Sequence, residues 1–125
     1  MVAAKKRAEE ILAVYGFDRS AYDAIAGLMD TAILPVQDNT TGMVLHDAVY
    51  DFTGRVDFIS MVDRLFREEL AYGKVDDPKI WFKNLIKTVE ENPFMTETAQ
   101  RLRSVSHEEQ LSALQAYAGE KLNNT

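Results

Sequence analysis

Between Met43 and Tyr72 an apolar residue recurs every three or four positions: Leu45, Val49, Phe52, Val56, Ile59, Phe66 and Leu70. At about 100° per residue this spacing gathers them on one face, and it predicts one long apolar helix over about 43–72. Tyr50, Phe58, Met61 and Leu65 widen the apolar arc beyond half the circumference. A helix that apolar is central in its bundle or shared with a partner. Gly54 lies inside it, and an interior glycine costs about 1 kcal/mol relative to alanine. The stripe keeps its phase across Gly54, which favours one helix over two, and Gly73 closes it.

Helices are also predicted on both sides of this segment. Residues 3–15 place Ala8, Ile11, Leu12 and Tyr15 on one face, with Gly16 as a stop. A second helix starts at Asp18 or Ser20, where Ser20 and Asp23 have capping-box spacing. It presents Tyr22, Ile25, Leu28, Met29 and Ile33 and ends before Leu34-Pro35, since proline disfavours helix in the residue before it. Residues 34–42, with the polar run PVQDNTTG, predict a loop.

Asp77-Pro78 is an acidic cap followed by proline at the first helical position; Phe82, Leu85, Ile86 and Val89 form that helix's face, and Asn92-Pro93 stops it. Thr96 to Arg103 makes a short helix. Ser106 and Glu109 then open the last one, which carries Leu111, Leu114, Tyr117 and Leu122. No segment alternates as a strand does; the nearest, 32–36, contains Pro35. The pattern predicts an all-α, single-domain bundle of five or six helices over residues 1–125 around the 43–72 helix. Disorder is expected only at residues 1–4 and in a frayed end over 123–125.

Composition narrows the class. A chain of 125 residues buries roughly two-thirds of its unfolded surface. With 46% hydrophobic and 27% charged residues it matches an ordinary globular protein. The absence of cysteine excludes disulfides, thiolate metal sites and cysteine nucleophiles. No apolar run approaches the ~20 residues that span a bilayer. Lys5, Lys6 and Arg7 are followed by Glu9 and Glu10, not by the apolar core of a signal peptide. These features place the protein in the cytoplasm, away from membranes. A net charge of -6 opposes binding to nucleic acid. The segment around Ser104-Val105-Ser106 has helix-turn-helix spacing, but Glu108, Glu109 and Glu120 make its second helix a poor neighbour for phosphate.

Three constellations bear on chemistry. Asp63 falls near the centre of the apolar stripe, and Arg67 lies one turn on in the favourable acid-first order. A carboxylate there needs a partner, so the two are expected to form a buried or half-buried ion pair that fixes helix register. His46-Asp47 with Asp51 resembles the His-Asp pair of the phosphohydrolases named for it. Those enzymes need further histidines and a distal aspartate around a divalent metal; the only other histidine is His107, in a helix cap beside Glu108 and Glu109. Nothing carries over, and Asp47 and Asp51 read as a solvated acidic face, with Asp47, Asp57, Arg64 and Glu68 on the outside of the long helix. Lys79, Lys83 and Lys87 form a basic row at i,i+4 spacing, with Ile80 pointing away from the Phe82 face and Trp81 at its edge. A basic row beside an aromatic suits an acidic partner surface or a phosphate-bearing molecule.

No serine-nucleophile motif, glycine-rich phosphate loop or metal-ligand spacing occurs, so no catalytic residue, metal or cofactor is expected. The sequence therefore points to a non-enzymatic protein–protein interaction module, such as a small inhibitor, an immunity or antitoxin-like factor, or a phage-encoded modulator. Its partner is another protein or a second copy in a homodimer. The alternative is a small helical hydrolase or ligand-binding bundle that uses carboxylates and a divalent metal.

Overall fold

In the computed structural model, which describes residues 2–103 and 105–123, the regular elements are all helical. They are α1 (Val2–Val14), α2 (Arg19–Thr31), α3 (Thr40–Val49), a 3-10 turn (Asp51–Gly54), α4 (Phe58–Ala71), α5 (Pro78–Glu91), α6 (Glu97–Leu102) and α7 (His107–Asn123). The all-α bundle expected from the periodicity is present. The described residues hold seven α-helices where five or six were expected, because 43–72 is not one helix. Residues 2–4 belong to α1 and Asn123 to α7, against the disorder expected there. Met1, Ser104, Asn124 and Thr125 lie outside the described residues, and with them the rest of those terminal expectations and the centre of the helix-turn-helix spacing. Packing groups the chain into two compact units, 1–49 and 50–125, with the join inside the stretch expected to be the central helix.

In the N-terminal unit, Gly16 ends α1 with φ +77°, the left-handed conformation that glycine adopts at least cost. There Phe17 N–H donates to the Leu12 carbonyl (3.0 Å) and Gly16 N–H to Ala13 (3.2 Å), the double bond that closes a helix end. The cap of α2 is Asp18, not Ser20: its carboxylate accepts the Ala21 N–H at 2.9 Å. Lys5–Asp30 and Arg19–Glu9 ion pairs tie α1 to α2. Asn39 Oδ1 accepts from Gly42 N–H (2.8 Å), so α3 begins at Thr40 and the loop expected over 34–42 ends early. Neither α1 nor α2 contains a buried residue, whereas α3 buries Gly42, His46 and Asp47.

The C-terminal unit opens on the break that the stripe concealed. Thr53 Oγ1 donates to the Tyr50 carbonyl at 2.8 Å, and Arg55 is extended (φ -81°, ψ 150°). Gly54 is buried against Phe94 and the Arg103 stem, an approach that leaves no space for a Cβ. Helix α4 then starts afresh at Phe58, and its buried face is Phe58, Val62 and Phe66. Those three pack with Phe82 and Val89 of α5 and Leu114 and Ala118 of α7. Of the stripe residues in this unit only Phe66 is fully in the core; Val56 is 84% exposed and Leu70 45%. Local stop and start signals fall where expected. Gly73 has φ +67° and Lys74 N–H reaches the Glu69 carbonyl (2.8 Å). Asp77 caps Lys79 N–H (2.9 Å), Thr96 caps Ala99 (3.2 Å), and Ser106 caps Glu109 (3.1 Å). Among the described residues no helix is long and apolar enough to cross a membrane.

Candidate functional site

The lysine row of α5 borders a groove of about 830 Å³ between α5 and α7. Lys79, Lys83 and Lys87 stand on successive turns because they lie four residues apart on α5, which is capped at Asp77-Pro78. The apolar lining comes from Phe82 and Ile86 of α5 and from Ala118 and Leu122 of α7. Glu90 and Glu91 line the same groove, and Lys87 Nζ lies 3.9 Å from Glu91 Oε1. Lys79 and Lys83 make no ion pair with a described residue. The groove is therefore basic towards the start of α5 and acidic at its end, over an apolar base.

Two of the five residues expected to form an interaction surface sit elsewhere. Ile80 is exposed on α5 but does not line the groove. Trp81 is not an exposed anchor: its indole packs 5.0 Å from Phe66 and edge-on to Phe82, and its Nε1–H donates to Glu69. An indole can join the edge of a core only where its N–H finds an acceptor, and Glu69 of α4 supplies one. Ala118 and Leu122 complete the groove from α7. Their i,i+4 spacing signals a shared helix face, but only the fold shows that this face meets the lysine row.

Asp63 and Arg67 do pair, with Arg67 Nε 3.0 Å from Asp63 Oδ2. The carboxylate is half-buried and the guanidinium is exposed. Asp63 also joins α4 to α7: the Tyr117 hydroxyl donates to Oδ1, and Lys121 Nζ lies 3.5 Å from the same oxygen. The Tyr117 hydrogen bond, opposed by partial desolvation and helped by Arg67 and Lys121, holds the Asp63 carboxyl below its ordinary range. Burial, and then the bond to Asp63, pushes the Tyr117 hydroxyl up.

These shifts fix the sign of a pH dependence. A lowered carboxylate pKa stabilises the fold above about pH 4 and loses that contribution as pH falls below it. A raised tyrosine pKa stabilises below about pH 10 and is lost above it. Thermal melts of wild type and Tyr117→Phe across pH 2–11 should show the difference between them largest from about pH 4 to 10 and shrinking on both sides. Parallel curves would mean that the Asp63–Tyr117 bond does not couple to folding.

Other polar groups are engaged differently from the expectation. Asp47 is buried, not part of a solvated acidic face, with its Oδ1 3.3 Å from Nδ1 of the fully buried His46. Gly42, His46 and Asp47 share one side of α3, and that side is the buried one. Asp51 accepts from Arg103 Nε (2.8 Å), and Asp57 from Arg55 Nε (2.8 Å). Among the described residues no three His, Asp or Glu side chains lie close enough together to hold a metal ion.

The N-terminal unit has its own groove, of about 480 Å³, between α2 and α3. Ile25, Leu28 and Met29 form one wall and Val44, Leu45 and Ala48 the other, with Thr40 and Thr41 at the side. Among the described residues no charged side chain lines it. No protein-family model, curated protein or solved structure matches the chain.

Proposed function

We propose that the protein is a protein–protein interaction module that acts by binding, in the manner of small inhibitors, immunity or antitoxin-like factors and phage-encoded modulators, in the cytoplasm. One observation carries this reading: the α5–α7 groove sets an apolar base of Phe82, Ile86, Ala118 and Leu122 beside Lys79 and Lys83, which form no ion pair among the described residues. Apolar area supplies affinity, and a charged border supplies steering and register. The groove matches an amphipathic helix whose apolar stripe faces the base and whose flank carries Asp or Glu at i,i+4 spacing. Eight residues separate Lys79 from Lys87, about 12 Å along a helix, so two to three turns of partner suffice.

Panning a display library of amphipathic 16-residue helices against the full chain tests this. Selected binders should carry acids at i,i+4 spacing, weaken as salt screens the contacts, and lose more than tenfold in affinity for a Lys79→Glu/Lys83→Glu variant. Binders with no acidic preference, or with unchanged affinity for that variant, would remove the groove from the function.

A further inference from the structure

The α5–α7 groove carries opposite charge at its two ends, and the register of α5 is the reason. Lys79, Lys83, Ile86 and Glu90 all line it, four, three and four residues apart in sequence. At about 100° per residue these four side chains fall within an arc of about 60°, so they form a single stripe. Lys87 and Glu91 stand 3.9 Å apart and offset each other. Lys79, Lys83 and Glu90 are exposed and form no ion pair among the described residues. The stripe therefore offers two positive charges and then one negative charge, separated by about 10–16 Å along the helix. Apolar Ile86 stands between them.

We propose that the helix this groove receives carries both signs in a fixed order: Asp or Glu at i and i+4 against Lys79 and Lys83, then Lys or Arg at i+11 against Glu90, with the helix parallel to α5. The inference rests on the groove being the binding surface, and adds the charge order and direction of its occupant. A partner that repeats the spacing of α5 keeps its three charges on one flank, beside the apolar residues that cover Ile86. An acid at i+11 would face Glu90, and a like charge at that point selects against its bearer. Direction follows from the partner's own helix dipole, which favours acids in the first turn and bases in the last. Parallel to α5, the first acid lies between its own helix N-terminus and the lysines, and the base lies between its own C-terminus and Glu90. An antiparallel helix that met the same groove charges would hold its base at its own N-terminus and its acids towards its C-terminus, against its dipole.

Two 16-residue amphipathic peptides with neutral ends and the same apolar stripe test this on the full chain. One carries Glu at positions 3 and 7 and Lys at position 14; the other carries Glu at all three. The mixed peptide should bind about tenfold more tightly, since its fourteenth residue meets Glu90 as a base and not as an acid. Glu90→Lys changes an exposed side chain and should reverse the preference. Direction is read by distance. The chain lacks cysteine, so Asp76→Cys, exposed just before the Asp77 cap of α5, gives one site for a spin label. A second label on the mixed peptide should lie nearer to it from the peptide's N-terminus than from its C-terminus, by at least about 10 Å. Equal affinities, a preference that Glu90→Lys leaves unchanged, or a nearer C-terminal label would overturn the charge order or the direction while the groove still binds. Failure of both peptides to bind, or binding that Lys79→Glu/Lys83→Glu does not weaken, would remove the groove as a binding surface and this inference with it.

Discussion

Replacing Phe58 with alanine should lower the unfolding free energy of the C-terminal unit by about 3–5 kcal/mol, the range for removing a fully buried phenyl ring. Phe58 has no solvent exposure, stands at the start of α4, and lies 5.9 Å from the Phe52 ring. Its loss takes contacts from the cluster at the point where α4 is anchored. A unit of this size has a total stability of about 4–11 kcal/mol, so the variant should be close to unfolding at 25 °C. Urea titration followed at Trp81 measures this cleanly, because the only tryptophan packs on Phe66 and Phe82 inside the same unit.

Val56→Ala is the control. The continuous stripe puts Val56 in the core, whereas the structure exposes it, and the expected change is under about 0.5 kcal/mol. Equal losses at Phe58 and Val56 would restore the single central helix and contradict the observed phase.

That contrast shows which parts of the fold were legible. Gly16, Gly73, Asp77-Pro78, Asn92 and Ser106 act through the backbone within a few residues, so composition at those places was enough to locate helix ends. The core phase of α4 was not legible, because Val56, Ile59, Phe66 and Leu70 keep a helical spacing across a segment that is not helical throughout. The partners of Asp63 divide in the same way. Arg67 is one turn away and visible in the sequence, while Tyr117 lies 54 residues on and meets Asp63 only through the packing of α4 on α7. The lysine row was visible as a row; its apolar base, drawn partly from α7, was not. Asp47 read as surface because it was placed with Asp51 on one helix face, whereas α3 ends at Val49 and Asp51 lies beyond it.

Gly54 is where local and tertiary physics make opposite predictions, so the sign of one measurement separates them. Inside a continuous exposed helix, Gly54→Ala would stabilise by about 1 kcal/mol through helix propensity. In the observed fold a Cβ at this position would sit 2.5 Å from Phe94 Cε2 and 2.8 Å from Arg103 Cγ, closer than real contacts allow. Relief requires the Phe94 ring to move or the Arg103 stem to shift, and the same guanidinium is bonded to Asp51 at 2.8 Å. Forcing extra volume into a packed site costs about 1–3 kcal/mol, which exceeds the propensity gain. Gly54→Ala should therefore destabilise the C-terminal unit in the same urea titration. Phe94→Leu should recover part of the loss when combined with it, because the smaller side chain vacates the space the methyl needs, and a double-mutant cycle isolates that coupling. A stabilised Gly54→Ala protein would mean that the chain is helical through residue 54 and that Phe94 packs elsewhere.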